Sequence, residues 1–376
     1  MPSAAECVAA PDRAWDRGAM KYVYGRSWDD VGKTPRGTAW QMLRALRHAP
    51  PNLAHCDEDR RLLFSAALEQ AEQFFRAAAS VGPETRALLL FYGLSQSGRA
   101  LRAASQPGLD WHRTLGHGLT VQGGSICDRL AQCVVKDEKK GHFRDVAATL
   151  DRATVPQGET VGGLSRLMQL GPRFTLDGPE PTHPPLRLQL VAAGSAEVGG
   201  PLRAELDVPA ETWAVDLPPV GPRDTTHYDA YRAQVRAQLQ HYPTLRDAQL
   251  YDPMPAHFDL GGGGRTRTVA ITWPGRSHPR LGDDEAILHE FSDDNGRSVL
   301  IYPRGVGTDL AVHPYLLWWV VLFAMAHHVR YEPTRWAAMV DVDHSDEAVT
   351  IEHIGEHALD VLPELIHRTL VRTEPQ

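Results

Sequence analysis

Apolar positions recur with a helical period through the first third of the chain. In Asp57–Ser80, DEDRRLLFSAALEQAEQFFRAAAS, the residues Leu62, Leu63, Ala66, Ala67, Phe74 and Phe75 follow that spacing and predict an amphipathic helix. Asp57 suits the N-cap, acidic residues occupy the first turn, and Gly82-Pro83 ends the run. A second helix is expected from Pro83 to Gln106, stopped by Pro107-Gly108. From about Pro35 to Thr149 the chain is rich in Ala, Leu, Arg and Gln and poor in β-branched residues, a helical texture.

Between Pro172 and Arg304 the period shortens. LRLQLVAA (186–193) and LRAELDV (202–208) alternate apolar and polar residues around a GSAEVGGP loop. TRTVAITW (266–273), EAILHEF (285–291) and SVLIYP (298–303) read as further strands, with a turn at Asp293-Asp294-Asn295-Gly296. A helical insertion is expected near 229–240, and Gly261–Gly264 marks a flexible loop. Helical texture then returns. Pro314 suits the first turn of a helix running to about Arg330, Glu332-Pro333 breaks it, a short helix or turn surrounds Trp336, and a last helix covers roughly 351–362. The expected fold is α+β. A helical domain is assembled from the N- and C-terminal segments (35–171 and 306–376), with a mostly antiparallel β middle lobe (172–305) and an N-terminal extension (1–34).

The apolar run YLLWWVVLFAMA (315–326) has twelve residues, short of the ~20 that cross a bilayer, so it reads as a buried helix. The N-terminus has no basic start followed by an apolar run, so a cytoplasmic location without membrane contact is expected. A net charge of −8 excludes a uniformly basic nucleic-acid coat. Charge is unevenly placed, however. Residues 76–144 hold ten basic and five acidic side chains, whereas 341–376 hold two basic and nine acidic. The basic stretch either faces phosphate or meets the acidic tail inside the fold. The four cysteines (7, 56, 127 and 133) form no C-x-x-C pair, which leaves a thiolate zinc site without support and Cys127 and Cys133 as core or surface thiols. No cofactor or metal is expected.

Four segments carry chemistry. Tyr92-Gly93-Leu94-Ser95-Gln96-Ser97-Gly98-Arg99 sets two glycines and several polar residues inside an apolar helix, a cost offset either by close packing or by a ligand. On a helix, Tyr92, Ser95, Gln96 and Arg99 share one face, and the Arg99 fork suits phosphate or carboxylate. The alternatives are an internal ion pair, or a serine hydrolase with Ser95 on a strand-to-helix turn. That turn's G-x-S-x-G pattern fails because Ser97 stands at the last glycine. Next, glycines flank His117 and expose its ring, so His117 is the proton-transfer candidate; the competing role is a helix cap. Third, His327, Arg330 and Tyr331 emerge on one side where the buried helix ends, as ligand-binding residues or as a C-terminal cap. Last, His353-Ile354-Gly355-Glu356-His357 spells H-x-x-E-H, a zinc peptidase order weakened by Gly355 and by the few residues that follow.

Leu88–Ala100 (LLLFYGLSQSGRA) followed by His117-Gly118-Leu119, together with His313-Pro314, the Trp-rich helix, Arg330-Tyr331-Glu332-Pro333 and Trp336, resembles the YaaC-like family of bacterial proteins. The resemblance covers roughly 40–150 and 310–370 and departs at His327-His328, where smaller or apolar residues are expected. It brings no reaction with it. Relatives near mobile or defence-associated genes imply a nucleic-acid-directed role. The Arg113/His117 pair also looks like that of HEPN-type ribonuclease domains, but its spacer of three residues is too short. The resulting expectation is an intracellular bacterial protein, associated with defence, that binds a phosphate-bearing ligand, nucleic acid or nucleotide. Tyr92, Ser95, Gln96, Arg99, His117, Arg330 and Tyr331 would line the site. The rival readings are a non-catalytic subunit that binds a protein partner, and the Ser95 hydrolase.

Overall fold

The computed structural model describes residues 36–113, 116–123, 127–168, 170, 174–190, 201–209, 233–251, 266–277, 298–373 and 375. Four helices open the fold: α1 (Arg36–His48), α2 (Leu53–Cys56), α3 (Glu58–Ala78) and α4 (Pro83–Ser105). The Asp57 carboxylate caps α3 by accepting from the Arg60 amide at 3.0 Å, as its position in the sequence implies. A small antiparallel sheet follows, β1 (Leu119–Val121), β2 (Val134–Asp137) and β3 (Glu159–Thr160), with α5 (His142–Leu150) between its last two strands and α6 (Val161–Ser165) after it. This sheet was not foreseen, because strands of two to four residues leave no alternation to read.

The middle region is a five-stranded sheet, antiparallel throughout. Its strands are β4 (Leu186–Leu190), β5 (Pro201–Pro209), β6 (Gln249–Leu250), β7 (Thr266–Ser277) and β8 (Ser298–Ile301), in the order β6-β7-β5-β4-β8. Register sets Leu188 opposite Leu206 and Val299, and Leu206 opposite Val269. Leu186, Leu188, Ala204, Leu206, Val208, Val269, Ile271 and Trp273 form a core of their own with Val235 and Leu239, which lie on a helical stretch, α7 (233–239). The expected strand 285–291, the turn at 293–296 and the loop 261–264 lie outside the described residues.

Three helices close the chain: α8 (Pro314–Tyr331), α9 (Pro333–Met339) and α10 (Ala348–Arg372). α10 runs ten residues beyond the expected end at Leu362, straight through Pro363. An interior proline removes a backbone hydrogen bond and normally stops a helix. Here Leu362, Leu365, Ile366 and Leu370 are buried, and the Arg368–Glu364 pair is buried beside them, so tertiary packing carries the helix past the proline.

α8 is buried from Pro314 to Ala326 and packs on α4, while α10 packs on α1 and α4, so both ends of the chain build one helical core. No helix among the described residues is long and apolar enough to cross a membrane. β8 joins the two cores. Ile301 turns into the sheet core, while Leu300 and Tyr302 turn into the helical one, as alternation along a strand requires.

Candidate functional site

The glycines inside α4 answer to packing. A Cβ on Gly93 would stand 2.6 Å from the Phe75 ring, and one on Gly98 would stand 2.6 Å from the Trp319 ring. Ser97 is sealed in the same contact. Its hydroxyl donates to the Leu94 carbonyl at 2.7 Å and lies 2.7 Å from the Tyr315 hydroxyl. The remaining polar residues, Tyr92, Ser95, Gln96 and Arg99, are all half-buried on the side of α4 left open by these contacts. Residues 83–105 form one continuous helix, so Ser95 does not sit on a strand-to-helix turn, and its carbonyl accepts from His142 Nε2 at 2.9 Å. Among the described residues Arg99 has no hydrogen-bond or ion-pair partner.

Two openings flank this face. The smaller, about 220 Å³, is lined by Phe91, His117, Glu138, Phe323, His327, Arg330 and Tyr331. Gly116 and Gly118 bracket His117 at φ +63° and +78°. Gly118 is doubly constrained, since a Cβ there would come 2.9 Å from the Gly141 carbonyl carbon. The turn is tied to the start of α5, where the Phe143 amide donates to the His117 carbonyl at 3.0 Å. The His117 ring packs on Phe91 at 5.2 Å, Phe323 at 6.2 Å and Tyr92 at 6.4 Å. Arg330 Nη1 lies 3.4 Å from His117 Nε2, and because guanidinium only donates, Nε2 is the acceptor. Burial first, and then the Arg330 charge, lower the His117 pKa from its ordinary value, against a small opposing effect of Glu138. His117 is thus held in its basic, neutral form. Arg330 also donates to the Tyr331 hydroxyl at 2.8 Å, and it has no ion pair among the described residues.

The larger opening is a cavity of about 650 Å³ at the C-terminal end of α4. It is lined by Arg102, Arg113, Lys139, Lys140, Arg144 and Arg152 against Asp110 and Asp145. Arg102 forms its buried floor, bonded to Gln106 Oε1 at 2.6 Å and the Asp110 carbonyl at 2.9 Å, with the Asp145 carboxylate at 3.3 Å. His142 locks this floor. Its Nε2–H donates to the Ser95 carbonyl, which leaves Nδ1 to face Arg102 Nη1 at 3.4 Å. Burial, together with the nearby guanidinium charges, pushes the His142 pKa down to about 3. Arg144 pairs with Asp137 at 2.8 Å and Arg113 with Asp110 at 3.0 Å. Lys139 and Lys140 are exposed and have no partner among the described residues.

Of the expected site residues, the structure brings His117, Arg330 and Tyr331 to one cleft, with Tyr92 beside His117. Ser95, Gln96 and Arg99 line neither opening; they lie along α4 between them. Residues Glu138 to Gly141 separate the two openings, Glu138 on one side and Lys139, Lys140 and Gly141 on the other. The basic stretch divides accordingly. Arg86 pairs with Glu356, and Arg129 pairs with Asp346 and Glu347, in the acidic tail, while Lys139 and Lys140 of the cavity are exposed. The Arg86 pair also engages the acid of H-x-x-E-H, where His353 stacks on Phe174 at 3.9 Å.

Sequence spacing missed two groups. The cavity cations come from four separate segments, so no local motif announces them. Cys127 and Cys133 lie five residues apart, not two, yet with His328 they place three buried ligand atoms within 4.8 Å of one another. Both thiols are free and lie in the core, one of the two places the sequence allowed them. The third ligand comes from α8, 195 residues beyond Cys133.

Searches among curated proteins and among solved structures return no match. A family model described as YaaC-like protein matches residues 46–370, a span that takes in the helical core, the five-stranded sheet and both openings. That match covers most of the chain, which therefore belongs to the YaaC-like family.

Proposed function

We propose that the chain binds a phosphate-bearing ligand of nucleotide size in the basic cavity at the end of α4. The observation that carries this reading is the excess of six cationic side chains over two acidic ones around a space of about 650 Å³. Two of the cations, Lys139 and Lys140, are exposed and without partners among the described residues. Such a volume falls within the ~300–1,000 Å³ usual for small-ligand sites. The paired cations Arg102, Arg113 and Arg144 hold a fixed positive potential, and the two lysines supply mobile donors for phosphate oxygens. Arg99 and Arg330 extend positive charge from the cavity toward the smaller cleft. There the neutral imidazole of His117 is the group able to accept a proton.

The test is binding of a fluorescent nucleoside triphosphate to the full chain at low salt, in the parent and in the K139E/K140E variant. Because both side chains are exposed and unpaired among the described residues, the variant keeps its melting temperature. Its affinity drops at least about tenfold, equivalent to ~1.4 kcal/mol. Unchanged affinity refutes the reading. A single-stranded oligonucleotide that binds far more tightly than the nucleotide, with a steep salt dependence, moves the ligand class to nucleic acid.

A further inference from the structure

The geometry points to a metal site of the zinc class formed by Cys127, Cys133 and His328. The three residues are buried, with Cys133 and His328 fully so and Cys127 at 8% exposure, and their ligand atoms lie within 4.8 Å of one another. His328 is already oriented as a ligand. Its Nδ1–H donates to the Ala324 carbonyl at 2.8 Å, which leaves the Nε2 lone pair directed at Cys133 Sγ, 3.6 Å away. A backbone carbonyl holding the other ring nitrogen is the usual companion of a metal-bound imidazole. Tetrahedral bonds of ~2.3 Å to sulfur and ~2.1 Å to nitrogen set such atoms ~3.6 Å apart, so the Cys133–His328 edge already matches.

Charge selects the ion. Binding of a divalent ion releases one proton from each thiol to solvent, and the two thiolates then neutralise the metal. A neutral centre is tolerated in this interior, whereas a monovalent ion would leave a net negative charge. Glu347 lies close, but its oxygens are taken by the Leu130 and Ala131 amides, at 2.7 and 3.3 Å, and by Arg129. The cluster supplies three protein ligands among the described residues, one short of the tetrahedral four. The ion would tie the start of β2 to the end of α8, the same helix end that holds Arg330 against His117.

The test uses the full chain, reduced and treated with chelator. Cobalt(II) binds with a stoichiometry of one per chain, giving a sulfur-to-metal charge-transfer band and intense tetrahedral ligand-field absorption that zinc abolishes. C133S and H328Q each lose these bands. Because both positions are buried and substitution there can disturb folding, the parent chain supplies a second readout. Alkylation of Cys127 and Cys133, followed by peptide mass mapping, slows about 100-fold at zinc near 100 times its Kd. A folded, reduced parent that gives no cobalt spectrum and no protection of the thiols overturns the proposal. So does a chain isolated without metal and with Cys127 disulfide-bonded to Cys133 that, once reduced, still binds no cobalt.

Discussion

Replacing Gly98 by alanine sets two effects of opposite sign against each other. In an open helix the change stabilises by ~1 kcal/mol, because glycine gives up more backbone freedom on folding. Here the added methyl would stand 2.6 Å from two carbons of the Trp319 ring and 3.1 Å from Val146 Cγ2, where contacts between carbons are best at ~3.5–4.0 Å. The ring has little room to retreat. Trp319 is 1% exposed and sits against His142 at 5.1 Å, Tyr315 at 5.8 Å and Phe143 at 6.3 Å. Overpacking of this kind costs ~1–3 kcal/mol, and a hemmed-in ring belongs near the top of that range. The net expectation for G98A is a loss of about 1–2 kcal/mol, obtained by subtracting the helix gain from the overpacking cost. Urea unfolding should show a lower midpoint at unchanged slope, and heating a fall in Tm of roughly 1–3 °C. The change should turn favourable, by up to ~1 kcal/mol, in a W319L background, where the obstructing ring is gone. A G98A chain as stable as the parent or more so, or one equally destabilised with and without Trp319, would refute the packing account of this glycine.

Further outcomes follow from the buried and charged groups. His142, His313 and His367 all have pKa values lowered by burial, His142 to about 3 and His367 to about 4. Below pH ~6.5 the unfolded chain takes up protons at these rings that the folded chain refuses, so stability falls as pH drops from there toward 4. Denaturation curves across that range should show it, with a shallower slope for H142Q; a stability flat from pH ~6.5 to 4 would contradict the burial argument. R330A should raise the His117 pKa, since the Arg330 charge opposes protonation, and proton NMR titration of the ring reads the shift directly. An unmoved or lowered value would show that the two groups do not interact in solution. The affinity loss of K139E/K140E and the cobalt spectrum of the Cys127/Cys133/His328 cluster complete the set.

The local rules reached some features and stopped at others. The Asp57 cap, the helix from Pro83 and the apolar helix after Pro314 were legible because caps, prolines and a helical period act within a few residues. The strands at 186, 202, 266 and 298 were legible for the same reason, since alternation along a strand is local. The polar face of α4 was visible as spacing. What the spacing left open was why its glycines were there, and Phe75 and Trp319 answered that from other helices.

By itself, then, the sequence determined the order of helical and β segments, the apolar character of α8 and the polar face of α4. Only the tertiary structure decided that His117 and Arg330 share a cleft across 213 positions, while Arg99 lies outside it. It likewise gathered Lys139, Lys140 and Arg102 around one cavity and set His328 beside two thiols about two hundred residues earlier. The physical reason is that hydrophobic periodicity reports which face of an element is buried but says nothing of what it is buried against. Sites assembled from several elements come into being only when those faces pack.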